Sequence, residues 1–131
     1  MALKLTLKPN EKAIVNGAVI VNGERRAAIT IVNNAHVLRE RDILQPEDAT
    51  TPARRIYLPI MMMLIEQGDR AAHYPEFEKR LTQFAAAVSD LEMLKTCAQI
   101  AAKVANDDFY KALRLCRELI EFEQEKLDHV A

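Results

Sequence analysis

Leu3, Leu5 and Leu7 alternate with Lys4, Thr6 and Lys8, the period-two pattern of a strand buried on one face. Pro9-Asn10 turns the chain, and short apolar runs follow at Ala13 to Val15, Ala18 to Val21, Ala28 to Val32 and Ala35 to Leu38. Asn16-Gly17 and Asn22-Gly23 separate the first of these, and Asn33-Asn34 separates the last two. Asn-Gly is a strong hairpin signal because both residues tolerate positive φ. The first forty residues therefore predict a small antiparallel β unit, whose short strands need support from helices or a second subunit.

Beyond the polar connector from Glu40 to Thr51 the period changes. Thr51 offers a capping hydroxyl, Pro52 suits the first helical position, and Gly68 supplies a stop. Ile56 to Ile65 carries no charge, so the helix over 52–67 is apolar on every side. That run is half of the roughly 20 residues a bilayer requires, so it predicts a buried core element or an interface, with no membrane. Pro59 should kink this helix or end its first turns. Arg54, Arg55, Tyr57 and the flexible Met61, Met62 and Met63 are the candidate partner or subunit surface. Cations at a helix start also call for a nearby anion, whether an internal carboxylate or RNA.

Tyr74-Pro75 marks the next helix start. Phe77, Leu81, Phe84, Val88, Leu91, Lys95, Ala98, Ala102 and Ala105 then alternate steps of four and three, a heptad seam with Lys95 as its polar interruption. Asn106 closes that helix, and Asp107 or Asp108 caps the next, which continues the spacing through Phe109, Leu113, Cys116, Ile120, Glu123 and Leu127. The short break predicts an antiparallel helical hairpin over 75–128. The expected class is α+β, with a β unit over 1–45 and a helical region over 46–131.

Composition narrows the function. The 131 residues are half hydrophobic and 28% charged, enough for a real core. The N-terminus has no charged-then-apolar signal segment, which predicts a cytoplasmic protein. Cys97 and Cys116 lack CxxC spacing and should be reduced and buried. No catalytic set emerges, so the expectation is a non-enzyme without cofactor or metal. Ser89 is expected mid-helix without a glycine-bounded elbow, Asp107-Asp108 reads as a cap, and His36, His73 and His129 lack i, i+4 pairing. Three glycines provide no phosphate-cradling loop.

The net charge of −1 conceals a polarity: residues 1–58 hold nine basic and six acidic side chains, and the remainder nine and thirteen. A basic front suits a polyanion partner. Lys4 and Lys8 share the polar face of the first strand, Arg25 and Arg26 follow a turn, and Arg39 and Arg41 leave the last strand. Arginines so placed bind phosphate and stack on exposed bases, whereas neighbouring Glu24, Glu40 and Asp42 offer them local ion pairs instead. No aromatic precedes Tyr57, which excludes a stacking sheet of the RRM kind.

Three stretches carry a resemblance. Leu3-Lys4-Leu5-Thr6-Leu7-Lys8-Pro9, Val37 to Pro46, and Thr50 to Tyr57 followed by Met61-Met62-Met63 closely resemble the FlbT family of flagellin regulators. The likeness is dense in the first half and rests on length and pattern in the second. It implies a cytosolic, non-enzymatic regulator that binds the 5′ untranslated region of flagellin mRNA, with links to a FlaF-like protein and to flagellin. The β unit also resembles CsrA, a dimeric mRNA-binding regulator, through Leu5 to Glu11 and Leu38 to Ile43. Arg39 matches an arginine of the CsrA RNA surface, while Leu7 replaces the arginine of its first strand. On this reading phosphate attraction is expected from Arg25, Arg26, Arg39 and Arg41, with Lys4 and Lys8 flanking, as the RNA site. The alternative is an adaptor acting on a protein through its helices. Exposed strand edges and the Met61–Met63 region predict a homo-oligomer.

Overall fold

A computed structural model of the chain describes residues 2–130, with side chains described for 2–128. His129 therefore lies outside the described side chains. The architecture is α+β, and the chain divides into two compact units between Ile43 and Leu44.

The first unit holds β1 (Leu3–Leu7), β2 (Lys12–Val15), β3 (Ala18–Val21), β4 (Ala27–Ile31) and β5 (Val37–Arg39). β1 pairs antiparallel with β4, and β2 lies between β3 and β5. Alternation along β1 puts Leu5 and Leu7 inside and Lys4 and Thr6 outside. Leu5 and Leu7 join Ala13, Ile14 and Leu38 as the buried hydrophobic side chains of this unit. Asn16 and Gly17 adopt φ of 49° and 87° and close the β2–β3 hairpin, the double left-handed turn that Asn-Gly favours. Asn22-Gly23 closes no hairpin. β3 and β4 take different partners, and Gly23 is not among the positive-φ residues.

The second unit contains α1 (Pro52–Ile65), α2 (Arg70–Ala87), α3 (Leu91–Ala105) and α4 (Phe109–Val130). α1 packs against both α2 and α4, and α3 packs chiefly on α4. The Thr51 hydroxyl accepts from the Arg54 amide at 3.3 Å, and Pro52 opens α1. The helix runs through Pro59 and ends at Ile65, before Gly68. Burial of Ala53, Ile56, Tyr57, Ile60 and Met61 offsets the lost amide bond at the proline.

Two expectations in the helical region are corrected. Pro75 lies inside α2, which begins five residues earlier at Arg70. Arg70 is fixed there: its Nε donates to the Met63 carbonyl at 3.0 Å, and its guanidinium lies 4.5 Å from the Phe109 ring centre. The seam from Phe77 to Ala105 is not one helix. It breaks at Val88–Asp90, where the Asp90 carboxylate accepts from the Met93 amide at 3.2 Å and starts α3. Ser89 is therefore in this break rather than mid-helix. The break resets the helical phase, so α3 buries Cys97, Ile100 and Val104 and exposes Leu91, Lys95, Ala98 and Ala102. Within α4 the expected phase holds over the first turns, with Phe109, Leu113 and Cys116 buried, and then drifts: Leu119 rather than Ile120 is fully buried, and Leu127 is exposed. Asp107, at φ 57°, makes the α3–α4 turn and Asp108 caps α4.

Candidate nucleic-acid interface

Three backbone segments meet at one end of the β unit. β1 brings Thr6 and Lys8, the loop after β3 brings Arg26, and the exit of β5 brings Arg39, Glu40 and Arg41. With Glu11 they line a cavity of about 420 Å³. Four of the six sequence-predicted basic residues (Lys8, Arg26, Arg39 and Arg41) thus share one wall system. Lys4 and Arg25 are exposed but outside the lining.

Asn22 brings the loop in. Its amide nitrogen lies 3.2, 2.8 and 2.9 Å from the carbonyls of Leu7, Lys8 and Arg25. Its own backbone N–H donates to the Glu11 carbonyl at 2.9 Å. A turn asparagine so placed staples the segment carrying Arg26 to the end of β1. The sequence marked Asn22 only as half of an Asn-Gly hairpin signal; its three carbonyl partners were not legible there.

Arg39 is positioned rather than freely mobile. Its Nη2 lies 3.1 Å from the Thr6 carbonyl and 3.1 Å from a Glu11 carboxylate oxygen. The side chain is 37% exposed. Its Nε is buried without a hydrogen-bond partner. Glu11 accepts the Lys8 amide with its other oxygen at 2.8 Å. That backbone bond first, and the Arg39 guanidinium second, hold the Glu11 carboxyl below the usual carboxylate range. Arg41, by contrast, is 85% exposed, with Asp42 3.8 Å away. Glu40 accepts from the Lys12 amide at 3.2 Å. The lining carries four cations and two carboxylates, both carboxylates bonded to backbone amides, leaving a surplus for an anion.

The second set of predicted residues is placed differently. Tyr57, Met61 and Met63 are buried within the chain, so their apolar surface is already covered and the interface expectation for them is corrected. Met62 and Arg54 are half-buried, and Arg55 is exposed. The anion required at the start of α1 is internal: the Glu123 carboxylate accepts from the Ala53 amide at 2.9 Å. Cys97 and Cys116 are free and buried, and burial pushes both thiols up, away from reactive thiolate.

These features define an α+β protein with a basic cavity on its β unit. The family model "Flagellar protein FlbT" matches residues 3–127, and the chain belongs to the FlbT family. It is 49% identical over 131 residues, the full length of both chains, to the "Probable flagellum biosynthesis repressor protein FlbT" of Caulobacter sp. (strain K31). It is 48% identical to the "Flagellum biosynthesis repressor protein FlbT" of Caulobacter vibrioides (strain ATCC 19089 / CIP 103742 / CB 15), covering all of this chain and 93% of that one. Identity to a Bradyrhizobium diazoefficiens relative is 38% over 125 residues, covering 95% of this chain and 84% of that one. No solved structure matches the chain.

Proposed function

We propose that this protein is a cytoplasmic, non-enzymatic repressor of flagellum biosynthesis, acting by binding the 5′ untranslated region of flagellin mRNA. The convergence of Lys8, Arg26, Arg39 and Arg41 around one cavity carries this reading. Phosphate recognition falls to Arg26 and Arg41, which are exposed. Arg39, held flat against β1, offers the edge of its guanidinium to a base or phosphate. Lys4 and Arg25 extend the attraction to flanking nucleotides. The charge distribution supports the same unit: residues 1–43 hold seven basic and four acidic side chains, against eleven and fifteen in the rest. Among the described residues no helix is long and apolar enough to cross a membrane.

The test is titration of purified protein with leader RNA at two salt concentrations. Four neutralised phosphates give a log–log slope of about −3 on a single strand. Arg26→Ala and Arg41→Ala each flatten that slope while the fold is kept, and Glu121→Ala and Glu125→Ala on α4 leave it unchanged. Binding that ignores salt, or survives both arginine changes intact, overturns the reading. Self-association belongs to the same proposal. β3 pairs only with β2 among the described strands and leaves Val19 and Val21 48% and 59% exposed. A monomeric mass by light scattering at micromolar concentration rejects it.

A further inference from the structure

The helical unit contains a second cavity, of about 570 Å³, between the last turns of α2, the last turns of α4 and the start of α1. Its α2 wall is Arg80, Gln83, Phe84 and Ala87, spaced i, i+3, i+4 and i+7, with Val88 just beyond the helix end. Its α4 wall repeats the idea with Phe122, Lys126 and Leu127. Two helix-period stripes facing one trough are the seam into which a third helix packs its side chains, ridge into groove. Ala87 permits close approach, and Leu127 stands 51% exposed on the rim.

Charge selects the occupant. Arg55 is exposed and has no ion pair among the described residues. Lys126 lies 5.4 Å from the Phe122 ring centre and has no carboxylate partner among the described residues. Arg80 is held by Glu76 at 2.6 Å. The lining carboxylate, Glu123, accepts from the Ala53 amide of α1. The trough therefore has an aromatic and aliphatic floor and a net positive rim, Arg55 and Lys126 outnumbering the single lining carboxylate Glu123.

We infer that this groove docks an amphipathic helix of a partner protein, with apolar residues at i, i+3 or i+4, and i+7 and with glutamates or aspartates flanking them. The site lies in the helical unit, apart from the basic cavity, and does not depend on RNA binding. Acidic flanks meet Arg55 and Lys126, while the apolar stripe covers Phe84, Val88, Phe122 and Leu127.

The probe is a designed amphipathic peptide with leucines on one face and glutamates beside them, compared with a twin carrying lysines in place of the glutamates. Binding is followed by fluorescence anisotropy and by amide chemical shifts of the full chain. The expected result is shift changes at Phe84, Val88, Phe122 and Leu127, with the glutamate peptide about fivefold tighter than its twin. The Arg55→Glu, Lys126→Glu double variant reverses that preference. Ala87→Trp fills the trough and abolishes binding at an unchanged melting temperature, since Ala87 is exposed. Equal affinity for the twins, shifts confined to other surfaces, or no binding of either peptide overturns the inference. A self-associated species that Ala87→Trp converts to monomer also overturns it, because the occupant is then a second copy.

Discussion

Glu11 and Arg39 stand 28 positions apart in the chain and meet at 3.1 Å beside the basic cavity. The carboxylate orients the guanidinium and partly neutralises it. Glu11→Gln keeps an acceptor for the Lys8 amide while removing a negative charge from the lining. RNA affinity should rise several-fold and its salt dependence steepen, as one more cation becomes available to phosphate. Lowered affinity in a folded Glu11→Gln protein shows that orientation of Arg39 outweighs charge.

The same pair sets an acid dependence. Glu11 titrates below its unfolded range, so its contribution is present above that range and is lost as pH falls through the depressed folded value. Stability of the β unit should hold from neutral pH to about pH 5 and then decline. Denaturant titrations across that interval, repeated on Glu11→Gln, should show a shallower decline in the variant.

Asn22→Ala removes the side-chain bonds to three carbonyls and should cost about 1–3 kcal/mol. Its effect on RNA runs through Arg26, whose loop it holds. Adding Asn22→Ala to Arg26→Ala should therefore weaken RNA binding little further than Arg26→Ala alone, a non-additivity that a double-mutant cycle reads directly. Fully additive losses assign Asn22 some other route to the RNA.

Glu123→Ala leaves the Ala53 amide at the start of α1 without its acceptor. The expected cost is about 0.5–2 kcal/mol, the range for a lost helix cap, measured as a lower midpoint of chemical unfolding. An unchanged midpoint argues that water replaces the carboxylate without penalty.

The phase of α3 is tested by a pair of truncations. Ile100 is fully buried and Leu91 is 66% exposed. Ile100→Ala should cost about 2–5 kcal/mol and Leu91→Ala less than about 0.5 kcal/mol. Equal costs point back to the uninterrupted seam through Leu91.

Local patterns with a strong stereochemical cause were readable in the sequence. The alternation of β1, the Asn16-Gly17 turn, the Thr51-Pro52 start of α1 and the phase of the first turns of α4 each depend on residues within a few positions of one another. Competing local signals misled where packing decides. Pro75 suggests a helix start, yet Arg70, tied to Met63 and stacked on Phe109, holds the preceding turn helical. The heptad spacing across Val88–Asp90 concealed a break whose signal, Ser89-Asp90 before Leu91, was present as an N-cap.

The sequence by itself determined that the chain has a strand-forming, basic front and a helix-forming, acidic back, because period and charge are properties of residue order. Its family motifs were equally visible there. Tertiary structure alone decided that Lys8, Arg26, Arg39 and Arg41 share one cavity while Lys4 and Arg25 lie outside its lining. It alone gave Arg39 to Glu11, and the Ala53 amide of α1 to Glu123 across 70 positions. Such pairings follow from which strands and helices become neighbours, and that choice is made by burial of the core rather than by spacing along the chain.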